Sequence, residues 1–296
     1  MSIAGVDIGG TSVKMGLLRE GEGLVWQKKI PTITGDAERL AARIAEALKE
    51  CPERPEYIGV GTAGSVRRTD DTVSAGNLGW FDVPLGRLLS QATGLPVWVD
   101  NDAQAALAAE VYDGACKGEK DVVYLTLGTG IGGAMLIDGK PWRGPDYTGA
   151  ELGHIITHAR GRKCTCGRRG CFEVYASANA LARMARCSTQ KVVRGVLDGD
   201  AEMNSVFNRY IEELAIGVSS LFMVFTPNVM VLGGGLSAAG DVLLTRLQAA
   251  VSAQFEEKPG QYRMRIALAQ HGNDAGMLGA AALARQSLRR EAAIQK

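Results

Sequence analysis

Net charge is the first thing this 296-residue chain lacks: 33 Lys and Arg against 32 Asp and Glu leave +1, so no broad basic field exists to grip a nucleic-acid backbone. No nucleic-acid partner is expected. Long apolar runs are also missing. The longest mostly apolar stretch, residues 218–225, is far short of the ~20 residues that a membrane-spanning helix requires, and no membrane association is expected. The opening MSIAGVDIGG has an acidic residue at position 7 and no basic stretch ahead of an apolar one. No secretory signal is visible, which points to a cytoplasmic location. Six cysteines are too few for a disulfide framework in a chain of this length, and in a reducing compartment their clustering points to metal before bridges. Neither GxGxxG in a dinucleotide-binding context nor GxxxxGK[ST] occurs, which disfavours a Rossmann dehydrogenase and a P-loop NTPase. No linker or low-complexity tract stands out. With 46% apolar residues, the chain has the means to bury a sizeable core in one or two domains.

What the sequence has in quantity is glycine, 38 residues, punctuating short β-type runs. Residues 3–7 and 13–18 flank Gly9-Gly10-Thr11 and read as a hairpin. The same layout recurs at 122–127 and 134–137 around residues 128–133, which suggests an internal duplication. Leu40, Ile44 and Leu48 keep the stripe of a helix, and residues 57–60 and 97–99 read as short strands. A long helical pattern at 201–225, a strand at 229–232, a helix after Gly240 and a last one from Ala275 complete an α/β alternation in two lobes.

A strand followed by a Gly-Gly-Thr or Gly-Thr-Gly turn leaves several backbone N–H groups uncovered, a concave nest that suits phosphate oxygens. Thr11 and Thr129 add hydroxyl donors, and Asp7, at the end of its strand, is placed to hold Mg2+ against those phosphates. An ordinary hairpin turn is the competing reading for either copy alone; two copies weigh against it. A third cluster, Gly233-Gly234-Gly235, ends a strand ahead of a helix and suits a nucleoside lying on bare backbone.

His154, Cys164, Cys166 and Cys171 fall within GHIITHARGRKCTCGRRGCFE, with Gly167 and Gly170 permitting the turns that fold them inward. This set suits tetrahedral Zn2+. Free thiols or a Cys164–Cys171 disulfide are the alternatives; structural zinc contributes about 10–16 kcal/mol against about 2–4 for a disulfide. His158 rivals His154 as fourth ligand on spacing alone. Four protein ligands leave no open position for water, so the metal's work is to fix the loop. Cys51, Cys116 and Cys187 are scattered and read as buried small apolar residues. Asp100-Asn101-Asp102 follow the strand at 97–99 and open a helix at 103–112. Capping that helix occupies one of them, for about 1 kcal/mol, and three polar residues at a strand end exceed what a cap needs. Trp80 is either a sugar platform or core.

DIGGTSVK at 7–14 and LGTGIGGA at 127–134 resemble the two phosphate motifs of the ROK sugar kinases, and VLGGGLS at 231–237 resembles that family's adenosine-side segment. The similarity runs over nearly the whole chain. It implies the actin/hexokinase-like ATPase fold, α/β, with two RNase H-like lobes around a cleft: a small lobe at 1–113, to which a C-terminal helix at about 284–296 returns, and a larger lobe at 114–283 carrying the zinc loop and nucleotide-side motif. By the resemblance, Asp7, Gly9, Gly10, Thr11, Lys14, Gly128, Thr129, Gly130, Gly233, Gly234 and Gly235 bind Mg2+-ATP. The family signature GHxxx...CxCGxxGCxE selects His154 as the zinc ligand. The resemblance further implies that Asp102 is the base that takes the sugar hydroxyl's proton and that Asn101 hydrogen-bonds a neighbouring hydroxyl. Glu151, Glu173 and the second ring nitrogen of His154 bind the sugar, while Gly64 and Asn77 close the pocket's far wall. Glucose-type members favour a proline where this chain has Thr62-Ala63-Gly64.

The expected activity is ATP-dependent phosphorylation of a hexose, glucose at its 6-hydroxyl leading, with N-acetylmannosamine, fructose or allose as alternatives and polyphosphate as a rival donor. A sugar-responsive repressor of the same family needs a DNA-binding module, and the first motif at residue 7 leaves no room for one ahead of it. The resemblance also implies a homodimer or larger homo-oligomer.

Overall fold

A computed structural model describes residues 1–67, 69–255 and 264–294; residues 295–296, the end of the expected C-terminal helix, lie outside them. The chain divides into two compact units, one of Met1–Lys117, Arg143–Gly149 and Asn273–Lys296, the other of Gly118–Trp142 and Ala150–Gly272.

In the first unit, β1 (Ser2–Ile8), β2 (Ser12–Arg19) and β3 (Gly23–Pro31) form an antiparallel meander, and β4 (Tyr57–Thr62) and β8 (Val97–Asn101) extend it in parallel to β1, giving the order β3-β2-β1-β4-β8. A small antiparallel sheet, β5 (Ser65–Arg67), β6 (Thr72–Ala75) and β7 (Trp80–Val83), is inserted between β4 and α2 (Leu85–Thr93). Strand β1 is buried on both faces, and its period of two explains how. Ala4, Val6 and Ile8 enter the core shared with Leu40 and Ile44 of α1 (Ala37–Leu48), while Ile3 packs with Ala281 and Ala284 of α9 (Ala275–Ile294). Gly5 and Gly59 lie under α9: a Cβ there would stand 1.9 Å from the Met277 carbonyl oxygen and 2.0 Å from that of Ala280. Only bare backbone lets the helix approach this closely. The helix therefore joins the first unit from its opening turn, and the grouping with that unit starts at Asn273 where the sequence suggested about 284. Residues 143–149 also belong to it, inside the range expected for the larger lobe.

The second unit repeats the plan. β9 (Val122–Leu127), β10 (Ile131–Ile137) and β11 (Lys140–Trp142) form the meander, and β12 (Val229–Gly233) and β13 (Ile266–Leu268) add in parallel, giving β11-β10-β9-β12-β13. The duplication read from the glycine turns is thus a duplication of a five-stranded sheet. β10 starts three residues before the expected 134, because Ile131, Gly132 and Gly133 already pair with Leu127, Thr126 and Leu125; a Cβ on Gly133 would meet Ala150 and Leu152 at 2.5–2.7 Å. The core is built on α7 (Ala201–Phe225), whose Phe207, Tyr210, Leu214, Val218 and Leu221 are buried, with α4 (Glu173–Ala176), α5 (Ala178–Ala185), α6 (Thr189–Leu197) and α8 (Asp241–Ala253) packed round it. Among the described residues no helix is long and apolar enough to cross a membrane. Trp80 is 1% exposed and belongs to the first unit's core, so it offers no face to a sugar. Cys116 is buried as expected, but Cys51 and Cys187 are half-buried because each lies just past a helix C-terminus.

Candidate active site

In the first unit the sequence-predicted residues gather at the C-terminal ends of three parallel strands. Register pairs Asp7 with Gly61 and Gly61 with Asp100, so the ends of β1, β4 and β8 are level. Asp7 shares the α9-facing side of β1 with Ile3 and Gly5, and a Cβ on Gly276 would lie 2.5 Å from its carboxyl carbon. That burial pushes Asp7 above the ordinary carboxylate range, with Lys14, its partner across the hairpin, pulling the other way. Lys14 Nζ donates to the Asn273 carbonyl at 2.6 Å.

The turn that follows is held from outside: Thr32 N donates to Thr11 O at 3.2 Å and Thr32 Oγ1 to Gly9 O at 2.7 Å. Gly9 N donates to Ser12 O, whereas the amides of Gly10 and Thr11 have no acceptor among the described residues. Two adjacent donors on exposed backbone are thus left open at this turn. Asn77 stands beside this turn, its Nδ2 3.4 Å from where a Gly10 Cβ would be. Gly64 has φ +93°, and a Cβ would strike the Ser74 carbonyl oxygen at 2.3 Å.

The three polar residues where β8 passes into the next helix separate into three roles. Asp100 is buried against Arg143. Asn101 caps α3 (Asp102–Asp113), accepting from Ala103 N at 2.9 Å and Gln104 N at 3.4 Å, and its Nδ2 donates to Gly64 O at 2.9 Å. Capping therefore falls to Asn101, leaving its second amide proton for a ligand. Asp102 opens the helix, exposed, and its Oδ1 accepts from Ala103 N at 2.8 Å. Sequence reasoning missed Arg143, whose ion pair with Asp100 spans 43 positions.

In the second unit the turn after β9 is Gly128–Gly130. Gly128 N donates to Gly130 O at 3.0 Å, Ala178 N holds Gly128 O at 2.9 Å, and the amides of Thr129 and Gly130 have no acceptor among the described residues. The next amide, Ile131 N, donates to Glu173 Oε2 at 3.4 Å; a Cβ on Gly130 would lie 2.4 Å from that oxygen. The third cluster packs beside the turn. Gly234, at φ +82°, sits against the Leu127 backbone, and a Cβ on Gly233 would strike the Tyr124 hydroxyl at 2.0 Å. Gly235 is exposed, with nothing against the place of its Cβ.

Glu173 also faces the metal-type cluster. Its Oε1 accepts from Cys164 Sγ at 3.1 Å and lies 3.7 Å from His154 Nδ1. The ligand atoms of His154, Cys164, Cys166 and Cys171 all lie within 4.8 Å of one another, with Cys166 Sγ 3.6 Å from Cys171 Sγ and Cys164 Sγ 3.7 Å from His154 Nδ1. The edge of a tetrahedron with Zn–S bonds of about 2.3 Å is about 3.8 Å, so the donor set fits that ion. Gly167 and Gly170 take φ +89° and +82°, as the inward turns require. Burial pushes the Cys164 thiol up to about 12, while the Arg168 backbone N–H draws the exposed Cys166 down to about 6. His158 is elsewhere: it stacks on Tyr175 at 3.9 Å, and its Nε2 lies 3.4 Å from Glu213. Of the two histidines, it is His154 whose ring lies with the three cysteines. Its Nε2 points toward exposed Glu151, 4.0 Å away.

The model of the ROK family matches residues 3–287. The chain is 32% identical to a glucokinase of Thermotoga maritima, over 97% of this chain and 98% of that one. It is also 32% identical to an N-acetyl-D-glucosamine kinase of Erwinia tasmaniensis, over 94% and 98%. The crystal structure of a ROK family glucokinase from Streptomyces griseus in complex with glucose and AMPPNP superposes with a TM-score of 0.85 at 32% identity, covering 97% of this chain and all of that one. Fold and likeness together define a sugar kinase of the actin/hexokinase-like ATPase fold. The chain belongs to the ROK family.

Proposed function

We propose that the protein transfers the γ-phosphoryl group of ATP to a hexose, with glucose at its 6-hydroxyl as the leading acceptor. The observation that carries this reading is the pair of duplicated glycine turns, each ending a strand with two open amides, at Gly10–Thr11 and Thr129–Gly130. Phosphoryl transfer demands positioned donors for non-bridging oxygens more than covalent chemistry, and these amides supply them. Mg2+ would be held by Asp7, and when bound it neutralises charge on the phosphates. Gly9, Lys14 and Gly128 support the turns, and Gly233 to Gly235 give the nucleoside a bare surface. Asp102 accepts the hydroxyl proton. A positioned base of this kind contributes about 10²–10⁴ in rate. Asn101, through its remaining amide proton, Asn77, Glu151, Glu173, His154 Nε2 and the Gly64 backbone bind the sugar's hydroxyls, since carboxylates each accept from two donors.

Structural Zn2+ at His154, Cys164, Cys166 and Cys171 fixes the loop that leads to Glu173. A cytoplasmic homodimer is the form we expect. Acetamido hexoses are the second reading, favoured by the likeness to an N-acetyl-D-glucosamine kinase; N-acetylmannosamine, fructose and allose follow. A screen of ADP release over hexoses and amino sugars, run with ATP and with polyphosphate, tests donor and acceptor together. The highest kcat/KM is expected for glucose with ATP. Turnover with polyphosphate alone, or with no hexose, refutes the assignment.

A further inference from the structure

We propose that Arg143 is a positioning residue that sets the direction of Asp102 through Asp100; the proposal rests on the reading of Asp102 as the base. Asp100 is 2% exposed and Arg143 9%. Arg143 Nε and Nη2 both donate to Asp100 Oδ2, at 2.9 and 2.6 Å, while Asp100 Oδ1 accepts from Asn101 N at 2.9 Å. The carboxylate is thus fixed by a guanidinium on one side and by the peptide entering Asn101 on the other. That peptide starts the turn from β8 into α3, and Asn101 carries the order onward by capping the helix and holding Gly64 O. Asp102 is the next residue. Arg143 also neutralises a buried negative charge two residues from the base, and Lys could not copy its geometry, because an ammonium offers one compact charge where Arg offers a planar fork.

Steady-state kinetics of the full chain with glucose and ATP test this, using R143M, R143K and the D102N control, with folding checked by circular dichroism. A misplacement of about 1 Å costs on the order of a hundredfold, so R143M is expected to lose kcat on that scale while KM for ATP stays within about twofold. R143K, keeping the charge, is expected to recover part of the loss and to remain below half of the wild-type kcat. A pair that serves stability alone lowers Tm and leaves the kcat of folded enzyme intact. Folded R143M within about threefold of wild-type kcat therefore overturns the proposal. If R143M does not fold, R143K decides: kcat below half of wild type with unchanged KM for ATP supports the role, and wild-type kcat overturns it. D102N separates the two claims. Full activity in D102N removes the base assignment itself, whereas an inactive D102N beside a fully active R143M removes only the role of Arg143.

Discussion

Removing the metal should cost the enzyme its activity through Glu173, and the size of the effect follows from how little else holds the loop. Residues 157–170 carry Arg160, Arg162, Lys163, Arg168 and Arg169. Ordering a stretch of about 14 residues costs roughly 14–28 kcal/mol in backbone entropy. Against this stand seven backbone hydrogen bonds, from Thr157, His158, Gly161, Cys164, Gly167, Gly170 and Phe172, at about 1 kcal/mol each. Phe172, fully buried where Gly217 of α7 leaves room for its ring, adds about 2–3 kcal/mol, and Tyr175 adds a stacked contact with His158 and a 2.7 Å hydrogen bond from Arg162 N. A structural zinc at about 10–16 kcal/mol closes the gap. Purified protein is therefore expected to contain one zinc per chain. Chelation should bring trypsin cleavage at the loop's Arg and Lys residues and loss of kcat together, with both reversed by zinc. Cys171→Ser should behave as chelated enzyme, and His158→Ala should keep its metal, since that ring faces Glu213 and Tyr175. A metal-free enzyme that resists trypsin and turns over at the wild-type rate would refute the reasoning.

Asp102→Asn should retain hexose binding, measured by calorimetry, while kcat falls at least a hundredfold; a fall of under about tenfold removes Asp102 from the chemistry. Asp7→Asn tests the other carboxylate, and the sign follows from its raised pKa. The folded state binds that proton more tightly than the unfolded chain does. The stability linked to it is full below the ordinary carboxylate range and is lost as pH rises through the folded value, so ionised Asp7 is a burden at pH 7. Asp7→Asn should raise the apo Tm at pH 7, with the gain vanishing below about pH 4, and should abolish ATP turnover. A lower Tm at pH 7 contradicts the desolvation argument. Gly64→Ala forces a Cβ into a left-handed residue and into Ser74 O at 2.3 Å. It should cost about 1–2 kcal/mol or more and, by shifting the carbonyl that Asn101 holds, raise KM for the sugar more than for ATP. Equal changes in both would count against a sugar-side position.

The glycine turns were legible because bare-backbone turns must be spelled with glycine, and the metal cluster because cysteine and histidine at these spacings serve few other ends. Both come from contiguous sequence. The parts that escaped depend on pairs far apart in the chain. Arg143 lies in a stretch that reads as ordinary loop, and only the fold brings it to Asp100. The early return of α9 depends on Gly5, Gly59 and Gly276, whose need for glycine is a matter of what lies opposite them. The division of labour in Asp100-Asn101-Asp102 could not be read from three neighbouring polar residues, because burial, capping and exposure are assigned by β8 ending at Asn101. Strands β3, β5, β6 and β7 left no hydrophobic alternation as plain as that of the first hairpin, since much of β3 is half-exposed.

The duplicated sheets differ most instructively at one position. Asp7 in β1 and Thr126 in β9 each stand two residues before a turn's first glycine, and each is paired in register with a glycine of the neighbouring parallel strand, Gly61 and Gly233. Thr126 carries no charge, and its hydroxyl is used internally, accepting from Gly132 N at 3.0 Å. Asp7 keeps a carboxylate that burial disfavours. A second carboxylate at the Thr126 position would repel the anion that the open amides of Thr129 and Gly130 are suited to hold, whereas one carboxylate paired with one divalent cation leaves the phosphate attraction intact. The asymmetry predicts that Thr126→Asp weakens ATP binding with little change in sugar affinity, while Thr126→Val, which deletes the hydroxyl and leaves Gly132 N without its acceptor, lowers Tm by a few degrees with smaller effect on KM for ATP. Measured nucleotide affinities that rank Thr126→Asp at or above wild type would mean that the second turn does not meet phosphate.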